Sequence, residues 1–366
     1  MTSASELVVL DRLGTLYGLE SELGAVRRVV GALPAVIVEA SVSLRERRER
    51  ELRLTLGLAA RAGDPDARSA LVDAVAGLGA AQLADAVDEA LATLGRRNPE
   101  QRLARGLALR VREGEPVRQR PGARVSGATG VERSTRMAEA MRRVGLDGAT
   151  ALHRRLAGRL AANPFNAVVP YGLAFDLAPD RILGAKTYFA CEWADVALGL
   201  LRELADELQI HGVEAFERLA AAAGKDGRRG RWPLDISFEL PSDPAAGVRA
   251  KAYVPARRLA ANEEEGHAAV LGLARDLGFD PAPYEELLAA LRPDGLARER
   301  PCSLMVGVSA SSHGPSVEAY VFRRVARPGL PAGDQQAHAW GFEYPSPPAT
   351  SSCSSEISTR FSGITR

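Results

Sequence analysis

Lysine is almost missing from this 366-residue chain: of 47 basic residues only Lys186, Lys225 and Lys251 are lysine, and the other 44 are arginine. Cysteine is scarce too. Cys191, Cys302 and Cys353 are widely spaced and odd in number, which excludes a disulfide framework and a cysteine zinc site. Net charge is nearly absent at +1, so no global field draws the chain to nucleic acid or an anionic bilayer. No run of about 18 apolar residues is free of charge, and Met1–Ser5 lack the basic start of a secretory leader. The five histidines show no ligand spacing. What is present, 46% hydrophobic and 25% charged residues, is the composition of a soluble globular protein rather than a disordered one. The expectation is a cytoplasmic protein with no metal, no nucleic-acid partner and no membrane partner. A chain so committed to arginine gives each surviving lysine a physical question to answer, because a compact ammonium and a planar guanidinium are not interchangeable.

Residues 1–35 have helical leucine and valine spacing, followed by an alternating run at Val36–Leu44, a charged turn and a second alternating run at Leu52–Leu58. Helical periodicity returns over residues 66–95. The block 96–160 is weakly patterned and Arg-rich, with sixteen arginines against six acidic residues, and holds a weak hairpin at Gly106–Arg112 and Arg118–Ser126. From 165 onward the pattern sharpens. Hairpins read at Val168–Leu177 with Arg181–Trp193, at Leu234–Leu240 with Val248–Pro255, and at Ser303–Ser309 with Ser316–Arg324. Between them lie a long helix at Ala194–Ala223 and helices at Asn262–Gly278 and Pro283–Leu291. Residues 327–366, rich in Pro, Ser and Gly, read as a flexible C-terminal tail with one short strand at Ala339–Tyr344.

The hairpins repeat. Lys186 and Lys251 are 65 residues apart, Tyr188 and Tyr253 also 65, and Tyr253 and Tyr320 are 67 apart. Arg53 precedes Lys186 by 133, about two periods, which places a further copy near residue 120. About five such units fill residues 1–326 as a single domain, the hairpin ending at Arg324 being either the fifth copy or the fourth, ahead of a fifth eroded into 338–362. Antiparallel hairpins joined through helices make an α+β fold: a closed antiparallel β-barrel of repeated α-β-β-α units with an outer ring of helices.

The second strand of each later hairpin carries one short string: Lys186-Thr-Tyr188, Arg249-Ala-Lys251-Ala-Tyr253 and Glu318-Ala-Tyr320. Residues two apart on a strand share a face, so each string puts charge and phenol on the same side. On a solvated face such strings would mean little. On the inner face of a barrel they gather two lysines and an arginine around one cavity, where buried cations call for an anion and suit a diphosphate.

These strings, with Phe175-Asp-Leu177 ahead of the first, resemble those of the aromatic prenyltransferases of the dimethylallyltryptophan synthase type, over about residues 165–325. The resemblance implies the ABBA or PT-barrel fold, with the active site in the lumen. It implies transfer of a dimethylallyl or longer prenyl group from its diphosphate to an indole, tryptophan-like or other aromatic acceptor, free or within a peptide. It implies no metal and no cofactor. Arg53, Lys186, Arg249 and Lys251 would bind the prenyl diphosphate, and Tyr188, Tyr253 and Tyr320 would shield the allyl cation. Glu39 would hold the acceptor N–H or accept the ring proton. Glu318 departs from the family, which has a cation or an amide there, and brings a negative charge to the diphosphate site unless it is paired.

Other motifs are weaker. Asp85-Ala-Val-Asp88-Glu89 mimics an Asp-rich magnesium motif without the doubled aspartate, and reads as a solvated helix face. Gly224-Lys-Asp-Gly lacks phosphate-loop spacing. The alternative to an enzyme is a non-catalytic barrel that binds an anionic ligand or partner through its Arg-rich surface.

Overall fold

A computed structural model describes residues 4–32, 36–44, 51–58, 65–95, 105–125, 127, 129–161, 168–191, 194–223, 234–254, 260–292, 295–296, 298 and 304–323. Its elements follow one order five times, two helices and then two strands. These are α1 (Ala4–Tyr17), α2 (Glu20–Ala32), β1 (Val36–Leu44) and β2 (Glu51–Leu58); α3 (Pro65–Val75), α4 (Ala81–Ala92), β3 (Arg105–Arg112) and β4 (Arg118–Arg124); α5 (Gly130–Arg143), α6 (Asp147–Ala161), β5 (Val168–Leu177) and β6 (Ile182–Cys191). The series closes with α7 (Ala194–Leu208), α8 (Glu214–Ala223), β7 (Leu234–Pro241) and β8 (Arg249–Val254); then α9 (Glu263–Asp276), α10 (Ala282–Leu291), β9 (Leu304–Ser311) and β10 (Gly314–Arg323). Each strand pairs with its sequence neighbours, and β10 pairs with β1, so the ten antiparallel strands form a closed barrel. The weak hairpin of the Arg-rich block is the second repeat, and the hairpin ending near Arg324 is the fifth. The expected tail and its strand at Ala339–Tyr344, and the loop holding Lys225, lie outside the described residues.

Alternation along the strands decides which side faces the helices. On β2 Leu52, Leu54 and Leu56 are fully buried against the outer layer, whereas Glu51, Arg53 and Thr55 point the other way. The same phase puts Leu107, Leu109 and Val111 outward on β3, Phe189 on β6, Ile236 and Phe238 on β7, and Val306 and Val308 on β9. Helices cover this apolar face, for example α5 on β5, α8 on β9 and α10 on β1 and β10. The core is therefore the shell between strands and helices. The inward face instead carries small or polar residues. One row of inward partners runs Gly106, Gly122, Ala174, Lys186, Glu239 and Arg249 across six strands. Glycine and alanine on one wall leave room for the long charged chains of the other.

Three of the expected helical stretches are each broken in two. Over residues 1–35, Gly18 takes φ 65° and the Leu19 amide donates back to Gly14, ending α1 before α2 starts. The expected helix at 194–223 stops at Gln209, itself at φ 53°, and His211 then bridges to Ser311 of β9. Gly212 follows at φ 86°, where a Cβ would fall 2.5 Å from Pro315. That close approach ties the α7–α8 corner to the β9–β10 turn, a tertiary contact that helical periodicity does not report. The segment Ser69–Gly95 has the mean hydropathy, 1.4, and the length of a bilayer span. Gly79, at φ 100°, breaks it, and Leu71, Val75, Val87 and Leu91 are buried in the core shell. Asp88, expected on a solvated face, is buried as well.

Candidate active site in the barrel lumen

Charged side chains from β2 to β8 and from β10 meet inside the barrel. Contacts between strands that are not neighbours run over the inner wall, as from Arg53 on β2 across β1 to Glu318 on β10, and from Arg120 on β4 to Glu239 on β7. Lys186 and Lys251 are each 3% exposed, so two of the chain's three lysines are buried there. Arg53, Arg249, Tyr188, Tyr253 and Tyr320 share the same inward phase. Glu39 lies on β1 opposite Thr55 and Phe322, in phase with Ser41, and its side chain is outside the described residues.

The lumen has two layers. Nearer the hairpin turns is a layer of cations and carboxylates. Arg53 spans two carboxylates, its Nε donating to Glu51 at 2.6 Å and its Nη1 reaching Glu318 at 2.8 Å. Arg249 Nη2 donates to Glu318 at 2.7 Å and to the Ser309 and Ser316 hydroxyls at 2.6 and 3.1 Å. Lys251 Nζ donates to Glu318 and to the phenol oxygen of Tyr320. Glu239 accepts from Lys186 at 3.3 Å and from Arg120 at 3.0 Å, and Arg120 also forks onto Asp176, with Nη2 to Oδ2 at 2.9 Å. At the rim Glu51 gathers Arg110 at 2.7 Å and Arg112 at 2.5 Å besides Arg53.

Deeper, toward the helix-connected ends of the strands, lies a tyrosine layer. Lys251 Nζ is 4.7 and 4.6 Å from the ring centres of Tyr253 and Tyr320, and Lys186 Nζ is 5.4 and 5.5 Å from those of Tyr188 and Tyr253. Tyr253 and Tyr320 have ring centres 6.0 Å apart. Strand β5 is bulged between Pro170 and Gly172, and Tyr171 there lies 5.9 Å from Tyr188. Gly307 on β9 makes room beside this layer: a Cβ would stand 2.8 Å from Lys251 Cε and 3.2 Å from Tyr253. A cavity of about 250 Å³ opens at the hairpin-turn end, lined among others by Asp176, Glu239, Arg249, Ser311 and His313.

The two lysines titrate in opposite directions. Burial works against the Lys186 ammonium, but Tyr253, Tyr188 and Glu239 outweigh it and hold the group above the ordinary lysine range. Burial, with the cations Lys186, Arg53 and Arg249, pushes Lys251 well below that range. Burial alone would raise the carboxyls. Arg53, Arg249 and Lys186 nevertheless keep Glu318 low, Arg120, Lys186 and Arg249 keep Glu239 well below the usual range, and Arg53 and Arg110 hold Glu51 at about 2. Burial raises the Tyr188 phenol, so it is a neutral ring and hydroxyl at neutral pH.

All four cations and all three tyrosines anticipated from sequence thus converge in one chamber. The negative charge of Glu318 is answered, since it is fully paired. What the spacing of the Lys-x-Tyr strings did not report is the set Glu51, Arg110, Arg120, Asp176 and Glu239. Its signal was the alternation itself: on β7, Asp235, Ser237 and Glu239 alternate with Leu234, Ile236, Phe238 and Leu240.

Five α-α-β-β repeats closed into a ten-stranded barrel with a polar lumen define a PT barrel. Solved structures with this architecture include the 6-dimethylallyltryptophan synthase from Micromonospora olivasterospora in complex with DMASPP and Trp, with a TM-score of 0.67 at 19% identity, covering 88% of this chain and 97% of that one. The apo form of the prenyltransferase PriB matches with a TM-score of 0.65 at 18% identity over 87% and 94% of the two chains. The 5-dimethylallyltryptophan synthase from Streptomyces coelicolor matches with a TM-score of 0.62 at 21% identity over 86% and 95%. No protein-family model matches the sequence, and no curated protein matches it. At these identities the likeness is one of fold.

Proposed function

We propose that the protein is an aromatic prenyltransferase that moves a dimethylallyl or longer prenyl group from its diphosphate to an indole, tryptophan-like or other aromatic acceptor. One observation carries this reading: a layer of buried cations lies directly against a layer of tyrosine rings inside one closed chamber. Lys186, Lys251, Arg53 and Arg249 hold the diphosphate. As the allylic C–O bond breaks, its electron pair leaves on the diphosphate, and these preorganised cations stabilise the developing charge. Tyr188, Tyr253 and Tyr320 surround the allyl cation with π density and exclude water, offering it no good nucleophile. A ring carbon of the acceptor bonds to the allyl carbon, and the ring then loses a proton to restore aromaticity. Glu39 accepts that proton or orients the acceptor N–H. The solved structures it resembles include two dimethylallyltryptophan synthases, which makes tryptophan the first acceptor to try.

A second reading rests on one specific fact: the cations of the chamber are already paired with Glu318, Glu239, Glu51 and Asp176. A barrel neutralised from within could be a non-catalytic relative. Incubation of the protein with dimethylallyl diphosphate and tryptophan or simple indoles in EDTA, read by mass and by diphosphate release, separates the two. Prenylated product with stoichiometric diphosphate supports the enzyme. No product from any acceptor, from a folded protein, leaves the binding reading.

A further inference from the structure

The anion at the centre of the cation layer belongs to the protein. Glu318 is 1% exposed, and both of its oxygens are occupied. Oε1 takes Arg53 at 2.8 Å and Arg249 at 2.7 Å; Oε2 takes Lys251 and, at 2.8 Å, the Tyr320 hydroxyl. Arg53 from β2, Arg249 and Lys251 from β8 and Tyr320 from its own strand touch it, and Lys186 from β6 acts on it by charge; Glu51, Glu239 and Tyr253 contact Arg53, Arg249 and Lys251 in turn. Three of its four donors are the cations to which the proposed function gives the diphosphate. Buried cations without a counter-charge are costly, so an empty cage of this composition is stable only with an anion inside it. A cage that already contains one binds a second less well, because like charges at this spacing repel.

Resting on the prenyltransferase reading of the lumen, we propose that Glu318 is a resident counter-anion that occupies the donor-phosphate position and competes with the donor for Arg53, Arg249, Lys251 and Tyr320. Donor binding is then an exchange. The diphosphate oxygens take over hydrogen bonds that Glu318 gives up, and the residue sets how strongly the donor must bind to enter. Glu318 and Glu239 differ in this respect. Glu239 is about a quarter exposed and lines the mouth cavity, whereas Glu318 is sealed among the cations themselves.

The test is calorimetric titration of inorganic diphosphate into the full chain as wild type, Glu318→Gln and Glu318→Asp. The amide keeps the shape and removes the charge, so E318Q should bind diphosphate at least about tenfold more tightly than wild type. The aspartate keeps the charge and should show no such gain. Removal of the counter-anion uncovers buried cations, so E318Q should melt at a lower temperature than wild type and recover more on adding diphosphate. That recovery reads the effect even where the variant is unfolded in buffer. Affinity in E318Q equal to or weaker than wild type, with no greater thermal recovery, overturns the counter-anion role. The cage reading then still stands on diphosphate binding by wild type. Absence of diphosphate binding in all three chains overturns both.

Discussion

In the second hairpin, β3 and β4 turn Arg110, Arg112, Arg120 and Gly122 into the lumen, with Arg118 left exposed at the rim; in the fourth, β7 and β8 turn in Ser237, Glu239, Arg249, Lys251 and Tyr253. Outward, the two are alike: Leu107, Leu109, Val111 and Ala123 in one, Ile236, Phe238, Leu240, Ala250 and Ala252 in the other, all buried under helices. The same wall of the barrel is thus built twice with different linings. Where the fourth hairpin has an ammonium over a phenol, the second has guanidinium groups forked onto Asp176, Glu239 and Glu51, and a glycine where a ring would stand. Guanidinium keeps its charge and fixes a carboxylate in place; ammonium is smaller, and burial and neighbouring cations shift its titration. The outer face of a strand secures the barrel, and the inner face assigns its chemistry.

This contrast can be broken or sharpened by experiment. Truncating an outward residue of the fourth hairpin should cost the most stability: Phe238→Ala removes a fully buried ring that meets Phe189 edge-on at 5.9 Å, and should lower unfolding free energy by about 3–5 kcal/mol in urea titrations. Its KM for the prenyl donor, measured well below the midpoint, should stay near wild type. An inward change in the same hairpin should do the reverse. Lys251→Met should cut kcat/KM by about 10²–10³ with a small change in urea midpoint, because Glu318 keeps Arg53 and Arg249. Full activity in that variant would remove the site assignment.

The third effect lies outside the barrel. His153 on α6 is fully buried, stacked 6.1 Å from Phe189 and bonded to Ser134 on α5, and burial pulls it from 6.5 down to about 4. A base depressed in the folded state favours unfolding once the unfolded chain is protonated. Stability is therefore complete above pH 6.5 and declines as pH falls toward 4, by about 3 kcal/mol in all. Urea midpoints at pH 7.5 and 5 should fall less in His153→Gln than in wild type; parallel losses would refute the assignment. The smallest effect belongs to the second hairpin's rim. Arg118 is exposed at the turn, and Arg118→Met should change kcat/KM by less than about twofold. A larger loss would mean that the second hairpin binds donor as the fourth does.

Much of the site was legible because a strand writes its two faces in alternate letters. Lys186 with Tyr188, and Lys251 with Tyr253, were paired by a spacing of two and related by a period of 65. The second repeat was faint because its inward string, Arg118-x-Arg120-x-Gly122, lacks the tyrosine that marks the third, fourth and fifth. The breaks at Gly18 and Gln209 were hidden for a different reason. Helical periodicity continues across each corner, and what ends α7 is its tie to β9 rather than its own composition.

Sequence alone determined the repeat and the shared face of each lysine, arginine and tyrosine string on the later second strands, since both are local and periodic. Only the tertiary structure decided which charge meets which. Glu318 lies 265 residues from Arg53 and 67 from Lys251, and no local pattern ties a carboxylate to cations that far along the chain. Closure of β10 onto β1 brings Arg53 to Glu318, pairing of β8 and β10 through β9 brings Lys251, and the low dielectric of a sealed lumen then makes these pairings strong.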